Sequence, residues 1–191
     1  MGLDAHKTIY AATPHEWREW LRTHHATEKG VWLVLYKKNS GMPTLSWSEA
    51  VDGALCFGWI DSIKRKYDDR CSVQFFSKRK PTSGWSKINK EKVGRLMEQG
   101  LMAPAGLECV RIAKKNRSWT RFDAVEALKV PADLRMAMRQ HKPAKAYFDS
   151  LSRSKRKALL MGLAMAKRPE TRARRIDEFI RLAVQYTNPP D

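Results

Sequence analysis

The chain has 191 residues, 42% of them hydrophobic, and seven tryptophans, so it can bury a substantial core, which excludes a disordered or fibrous protein. It carries 37 Lys and Arg against 20 Asp and Glu, and this formal net charge of +17 favours polyanionic partners such as nucleic acid. Cys56, Cys71 and Cys109 form no C-x-x-C pair, which argues against a disulfide framework or zinc site and favours a reducing cytoplasm. With no apolar signal segment and no run long enough to span a bilayer, we expect a cytoplasmic protein without a membrane span.

The first sixty residues predict a helix, a strand and a second helix. A capping box at 13–16, with Pro in the first turn, predicts an amphipathic helix. The apolar run 31–36 is rich in aromatic and β-branched residues and predicts a strand buried on both faces. A second capping box at 46–49 predicts a helix with Trp47 on its apolar face and Gly58 just after its end.

Beyond the second helix the hydrophobic period changes. Segments 60–67 and 71–76 predict two strands of a hairpin, joined by a turn rich in Asp. Asn89 is positioned to cap a third helix that ends at Gly100, and a fourth helix is predicted over 104–115. These elements together predict an α+β unit with a small antiparallel-type sheet over residues 1–117.

The rest of the chain, 118–191, predicts a helical C-terminal unit. Its helical pattern is broken by Pro131 and Pro143. A helix over about 155–166, capped by Ser152 or Ser154, and another from Pro169 predict a helical hairpin at the end of the chain. The second helix is predicted to bury one apolar stripe, which consists of Ile176, Phe179, Ile180 and Ala183. The predicted fold class is therefore α+β, followed by a helical C-terminal extension.

The connection of this hairpin, 166–176, holds five basic residues and one acid around a single Pro. On the predicted helix Arg172 falls on the core side, so it must reach solvent, pair with a carboxylate or hold a bound anion. A solvated basic face with one structural ion pair is one interpretation. The other is capture of phosphate or carboxylate at a positive helix N-terminus. The candidate anion-binding residues are Lys167, Arg168, Arg172, Arg174 and Arg175.

A second candidate surface combines basic clusters with aromatic residues. Single-stranded nucleic acid needs such a surface, because cations follow its backbone while rings stack on its bases. The same tryptophans could instead be core residues, and Ser86 and Asn89 could be explained by helix capping alone. If they line a pocket, Trp85, Ser86 and Asn89 would offer free backbone N–H groups beside it. The surface comprises Trp59, Asp61, Lys64, Arg65, Lys66, Trp85, Ser86 and Asn89.

No motif in the sequence indicates a catalytic residue, a cofactor or a metal. There is no Walker loop, dinucleotide-binding fingerprint, G-x-S-x-G or H-E-x-x-H. The pair Asp68-Asp69 has too few oxygen ligands for a calcium loop and is expected in a turn. His24-His25 has no metal ligand at suitable spacing and is expected at a helix C-terminus.

Three segments together resemble the bacterial YdeI/OmpD-associated family: 54–61 (ALCFGWID), 85–89 (WSKIN) and 166–176 (AKRPETRARRI). The resemblance covers most of the chain, and the last segment is its most specific part. It implies a role in bacteriocin protection or stress response, and it supplies no catalytic residue. Because a protein of charge +17 repels a cationic toxin, an indirect cytoplasmic role fits this sequence better than direct sequestration.

Three functional hypotheses follow. The first is a non-enzymatic protein that binds an anionic partner, in its sharper form a nucleic acid. The second is a small-molecule enzyme or sensor with a pocket near Asp61, Trp85, Ser86 and Asn89. The third is an interaction module whose helical hairpin docks an acidic protein.

Overall fold

The computed structural model describes residues 6–187, with the side chain of residue 187 excepted, and divides after Trp119 into two compact units. The first unit combines a four-stranded sheet with helices, and the second is helical. Each unit has its own cluster of buried apolar side chains. The predicted α+β class with a helical C-terminal region is confirmed.

The sheet of the first unit has the strand order β1-β2-β4-β3. Strands β2, β4 and β3 pair antiparallel, and β3 and β4 form the predicted hairpin. The short β1 adds a parallel edge strand beside β2, which the sequence analysis did not predict. The strands are β1 (Thr8–Tyr10), β2 (Gly30–Tyr36), β3 (Trp59–Lys66) and β4 (Cys71–Lys78).

Strand β2 is buried on both faces, as its continuous apolar run predicts. Its alternate residues Val31, Leu33 and Leu35 belong to the main core, which they share with the helices of the unit. Trp32 and Val34 lie on the opposite face, in a smaller cluster contributed mainly by β4. The alternation of side chains along a strand therefore divides one apolar run between two clusters.

Four helices pack on the main-core face of the sheet, and two short 3-10 turns, Lys38–Ser40 and Ser118–Thr120, occur in the connections. The capping box at Ser46 and Glu49 is complete. Trp47 lies between these two residues, and its side chain is 47% exposed. The prediction that Trp47 lies on the apolar face of this helix is therefore wrong. The helices are α1 (Pro14–His24), α2 (Trp47–Cys56), α3 (Lys87–Glu98) and α4 (Pro104–Lys115).

The N-cap of α3 is Ser86 and not Asn89. The Ser86 hydroxyl accepts a hydrogen bond from the backbone N–H of Asn89, at 3.3 Å, so Asn89 lies within the first helical turn. Ser86 precedes the helix with extended backbone angles, which is the geometry that an N-cap requires. The helix therefore begins three residues earlier than a cap at Asn89 would allow.

Helix α4 lies directly on the C-terminal end of α2. The backbone N–H of Ala103 donates to the Cys56 carbonyl at 3.0 Å, and a Cβ on Gly106 would lie well inside the van der Waals contact distance from that oxygen. Gly58, which has a positive φ of 73°, turns the chain from α2 into β3. This close approach forms one wall of a cavity described below.

The second unit consists of helices α5 (Asp123–Glu126), α6 (Ala132–Gln140), α7 (Lys142–Ser150), α8 (Arg153–Met165) and α9 (Pro169–Thr187). As predicted, Ser152 caps α8, Pro131 precedes α6 and Pro143 lies in the first turn of α7. Helix α9 packs against α6, α7 and α8. Its buried stripe consists of the predicted Ile176, Phe179, Ile180 and Ala183.

Candidate anion-binding site

The five predicted anion-binding residues lie in the connection between α8 and α9 and in the first turns of α9. The side chains of Lys167, Arg168 and Arg174 are exposed and form no hydrogen bond or ion pair with another described residue. Arg172 and Arg175 are half-buried, and both donate hydrogen bonds to the protein. The segment thus contains three free cations and two arginines with structural contacts.

Arg172 pairs with a carboxylate, one of the three options that its core-facing position leaves open. Its Nε and Nη2 donate to Asp133 Oδ2 and Oδ1 at 2.5 and 3.0 Å. The side-chain hydrogen bond from Arg172 holds the pKa of Asp133 below its usual range, and the same bond raises the pKa of the guanidinium. This two-point pair joins α6 to α9.

Three arginines donate hydrogen bonds to the C-terminal carbonyls of α8. The Nη1 of Arg172 donates to Leu163 O at 2.7 Å, and Nη1 of Arg175 donates to Gly162 O. Arg121 donates to the next carbonyl, that of Ala164. The last carbonyls of a helix lack intrahelical partners and carry partial negative charge, so cations stabilise this end.

A groove lined by basic residues lies along α6 and α7. We call it the basic groove: Arg135, Met138, Arg139, Lys142 and Lys145 enclose about 430 Å³, and none of the described residues that line it is acidic. Arg135 donates to the Val130 carbonyl at 3.0 Å, and Lys145 pairs with Asp149 one turn further along α7.

Within residues 6–187, Arg139 and Lys142 are exposed and have no side-chain partner. Sequence analysis missed the basic groove, although a signal was present: residues 134–148 contain these four cations and no acid. An anion that entered the groove would therefore meet two cations that lose no existing contact.

The second candidate surface does not form as predicted, because its tryptophans are in the core. Trp59 and Trp85 are each 1% exposed, so neither ring is available to stack on a base. The Trp59 indole donates to the His25 carbonyl at 3.2 Å, and the Trp85 ring lies beneath the Arg79 guanidinium.

The remaining residues of that surface have separate local contacts. Lys64 is exposed on β3, Arg65 lies 4.9 Å above the buried Trp32 ring, and Lys66 pairs with Asp69. Asp61 accepts a hydrogen bond from the indole of Trp47 at 2.9 Å. Ser86 and Asn89 form the cap of α3 described above. These contacts account structurally for all of these residues except Lys64, which is exposed.

The first unit contains a cavity of about 330 Å³ between α4, the turn after α2 and the end of β4. Most of its wall is apolar. Arg79 and Cys109 both line it, and the charges of the guanidinium and the thiolate interact. Burial lowers the pKa of Arg79 to about 10, so its guanidinium remains a cation at neutral pH. Burial raises the pKa of the Cys109 thiol, an effect that the charge of Arg79 partly offsets.

The described residues contain no cluster of three His, Cys, Asp or Glu side chains that could hold a metal ion. Asp68 accepts hydrogen bonds from the backbone N–H groups of Arg70 and Cys71, which makes its segment the predicted turn. His24 and His25 lie at the C-terminus of α1 as predicted, each with Nδ1 against a carbonyl of that helix. None of the helices described is long and apolar enough to cross a bilayer.

Comparison with known families assigns one match to each unit. Residues 9–109 match the family model described as a domain of unknown function, DUF8412. Residues 127–185 match the model described as "Bacteriocin-protection, YdeI or OmpD-Associated", which confirms the resemblance over this region, including the segment 166–176. The segments 54–61 and 85–89 lie outside this match, in the region that matches DUF8412, so the resemblance does not extend over most of the chain as expected. No curated protein and no solved structure gives a significant match.

Proposed function

Since the chain belongs to the DUF8412 family and carries a YdeI/OmpD-associated domain over residues 127–185, we propose that it is a non-enzymatic protein that binds an anionic partner through that domain. The observation that carries this proposal is the basic groove. Its four cations surround one concave surface; Asp149 pairs with Lys145, and no acid among the described lining residues neutralises the other three. Such a surface attracts anions at long range and can hold them at short range.

The contact residues of the proposed site are the exposed cations that form no hydrogen bond or ion pair with another described residue. Arg139 and Lys142 form the centre of the groove, and Lys167, Arg168 and Arg174 supply further free cations of the same unit. Arg172 and Arg175 support the site indirectly, because they hold α8 and α9 in place through Asp133 and the α8 carbonyls.

The partner in this proposal is bound by charge and not by base stacking. The two tryptophans that were candidates for stacking are buried, whereas cations that could contact phosphates or carboxylates are exposed. A nucleic acid held by its phosphates and an acidic protein surface both satisfy this chemistry. The test below includes a probe for each.

A bacteriocin-protection role enters this proposal from the family description. A chain of net charge +17 repels a cationic toxin, so we place the protective effect downstream of an interaction with a cellular anion. The three cysteines are all free, which is consistent with the reducing cytoplasm that we propose as the place of action.

The proposal is tested by titrating the protein with labelled double-stranded DNA, labelled single-stranded DNA and labelled poly-glutamate across a salt series. The variant Arg139→Ala/Lys142→Ala removes the two free groove cations. The matched control Arg153→Ala/Arg181→Ala removes the same charge from two exposed residues that do not line the groove.

We expect the groove variant to weaken binding roughly tenfold or more, and to reduce the salt slope for double-stranded DNA by about two, because two contacts are lost. The control should retain near-normal affinity. Equal losses in both variants would mean that net charge alone attracts the probes. Absence of binding to all three probes at physiological salt would contradict the proposal.

A further inference from the structure

The cavity of the first unit has a mainly apolar wall and a buried cation. Phe57, Trp59 and Ile112 supply the apolar surface, and Arg79 supplies the charge. Its volume of about 330 Å³ falls at the lower end of the range for small-molecule sites. A pocket with this composition accepts a small ligand that is apolar except at one anionic end.

Arg79 is only 9% exposed, yet no carboxylate among the described residues forms a hydrogen bond or ion pair with it, and Asp61 acts on it only through its charge, without direct contact. Its Nη2 donates to the Gly84 carbonyl at 2.8 Å, and its guanidinium carbon lies 3.8 Å from the centre of the Trp85 ring. Its Nε is buried and has no hydrogen-bond partner within residues 6–187. A buried guanidinium normally has a carboxylate to offset its desolvation, so this one is incompletely compensated.

The other charged groups of the cavity wall do not supply the missing carboxylate. Glu108 is the one acid among the described lining residues, and Nε and Nη2 of Arg111 bind its two oxygens, each at 2.6 Å. Lys78 adds a second cation and donates to the Ala26 carbonyl at 2.5 Å. The electrostatic balance of the cavity is therefore positive.

We propose that this cavity binds the carboxylate of a small, otherwise apolar organic acid, with Arg79 as its counter-ion. The planar guanidinium matches a carboxylate in shape and charge, while the apolar wall takes the hydrocarbon part. Inorganic phosphate fits less well, because apolar walls leave its remaining oxygens without donors. This site is independent of the basic groove, which belongs to the other unit.

Thermal denaturation of the full chain with benzoate and hexanoate tests the site, with benzamide, hexanamide and inorganic phosphate as comparisons. A ligand that binds the folded state raises Tm by mass action. We expect the carboxylates, and not their neutral amides or phosphate, to raise Tm.

Arg79→Met should weaken the carboxylate affinity at least about tenfold, because a hydrogen-bonded charge contact is lost. The matched control Lys80→Met removes the neighbouring exposed cation and should respond as the wild type does.

A second readout uses Cys109, which lines the same cavity and is partly exposed. Bound benzoate or hexanoate should slow alkylation of Cys109 by iodoacetamide in the wild-type protein. Ile112→Trp fills the cavity without removing the guanidinium, and it should abolish both the Tm shift and the protection even if Arg79→Met fails to fold. Equal Tm shifts from acids and amides, or carboxylate binding that survives Ile112→Trp, would overturn the proposal, as would no Tm shift with either acid at millimolar concentration.

Discussion

Arg172 and Asp133 connect α9 to α6 through a two-point ion pair, 39 residues apart in the chain. The same guanidinium donates to the carbonyl of Leu163, so one side chain links three helices of the second unit. Arg172 is therefore a structural residue in the middle of a segment whose other basic residues, except Arg175, are exposed. Arg172 therefore contributes to the stability of the helical unit, whereas the exposed basic residues of the segment are the ones available to bind anions.

Replacing Arg172 with Met should lower the free energy of unfolding by about 1–2 kcal/mol, because a two-point, partly buried pair and one carbonyl contact are lost. Urea denaturation monitored by circular dichroism measures this change. Arg174→Met serves as the control, since Arg174 is exposed and unpartnered among the described residues, and it should change stability by less than about 0.5 kcal/mol. Equal effects would show that Arg172 contributes only charge.

The same pair predicts a dependence on pH. The pKa of Asp133 is lowered in the folded state, so its contribution to stability is present above the unfolded-state value of about 3.9 and is lost as pH falls through the folded-state value. The stability difference between wild type and Asp133→Asn should be full near about pH 7 and should shrink below about pH 4. Urea denaturation at several pH values gives this difference. A difference independent of pH would rule out ionisation of Asp133 as its origin.

The close contact between α4 and α2 gives a prediction with a built-in control. Gly106→Ala places a Cβ against the Cys56 carbonyl, where backbone cannot yield easily, so we expect a loss of about 1–3 kcal/mol. Gly94→Ala, within α3, meets no atom within 4 Å and should raise stability by about 0.5–1 kcal/mol through helix propensity. Thermal and urea denaturation of both variants measure the two changes. A Gly106→Ala protein as stable as wild type would contradict the described contact.

The elements that sequence analysis predicted correctly have strong local signals. The capping box at Ser46, the continuous apolar run of β2 and the apolar stripe of α9 each depend on residues close together in the chain. Strand β1 has three residues, too few to show a period, and its pairing with β2 is a tertiary contact. Which of Ser86 and Asn89 caps α3 also depends on tertiary structure, because the burial of Trp85 fixes where the chain enters the helix.

The candidate site was predicted less well because exposure is a tertiary property. Trp47 and Trp85 each precede or begin a helix in similar sequence contexts, yet one is exposed and the other is buried beneath Arg79. The basic groove needs two helices to lie side by side, and sequence spacing within either helix shows only half of it. The hairpin segment was identified from its charge density, but the partners of Arg172 are 9 and 39 residues away.

The distribution of tryptophans predicts the outcome of a quenching experiment. Trp47 is 47% exposed, Trp20 and Trp119 are half-buried, and Trp17, Trp32, Trp59 and Trp85 are buried. Acrylamide should therefore quench a small fraction of the native emission efficiently, and Trp47→Phe should remove the largest share of that fraction. Trp85→Phe is the control and should leave it nearly unchanged. If Trp85→Phe removed the accessible fraction instead, the burial of that ring beneath Arg79 would be wrong.

The reactivity of Cys109 tests its electrostatic relation to Arg79. Cys109 is partly exposed, whereas Cys56 and Cys71 are buried, so native protein should be alkylated first at Cys109. Burial raises the pKa of this thiol, although the charge of Arg79 opposes the rise, so the reaction rate should increase only at a pH above the usual pKa range of a cysteine thiol, where thiolate forms. Arg79→Met should move this rise to higher pH, because the charge that stabilises the thiolate is gone while the burial remains.

Mass spectrometry of iodoacetamide-treated protein across a pH series measures the shift, with Lys80→Met as a charge-matched control. An identical pH dependence in wild type and Arg79→Met would show that the guanidinium does not act on this thiol.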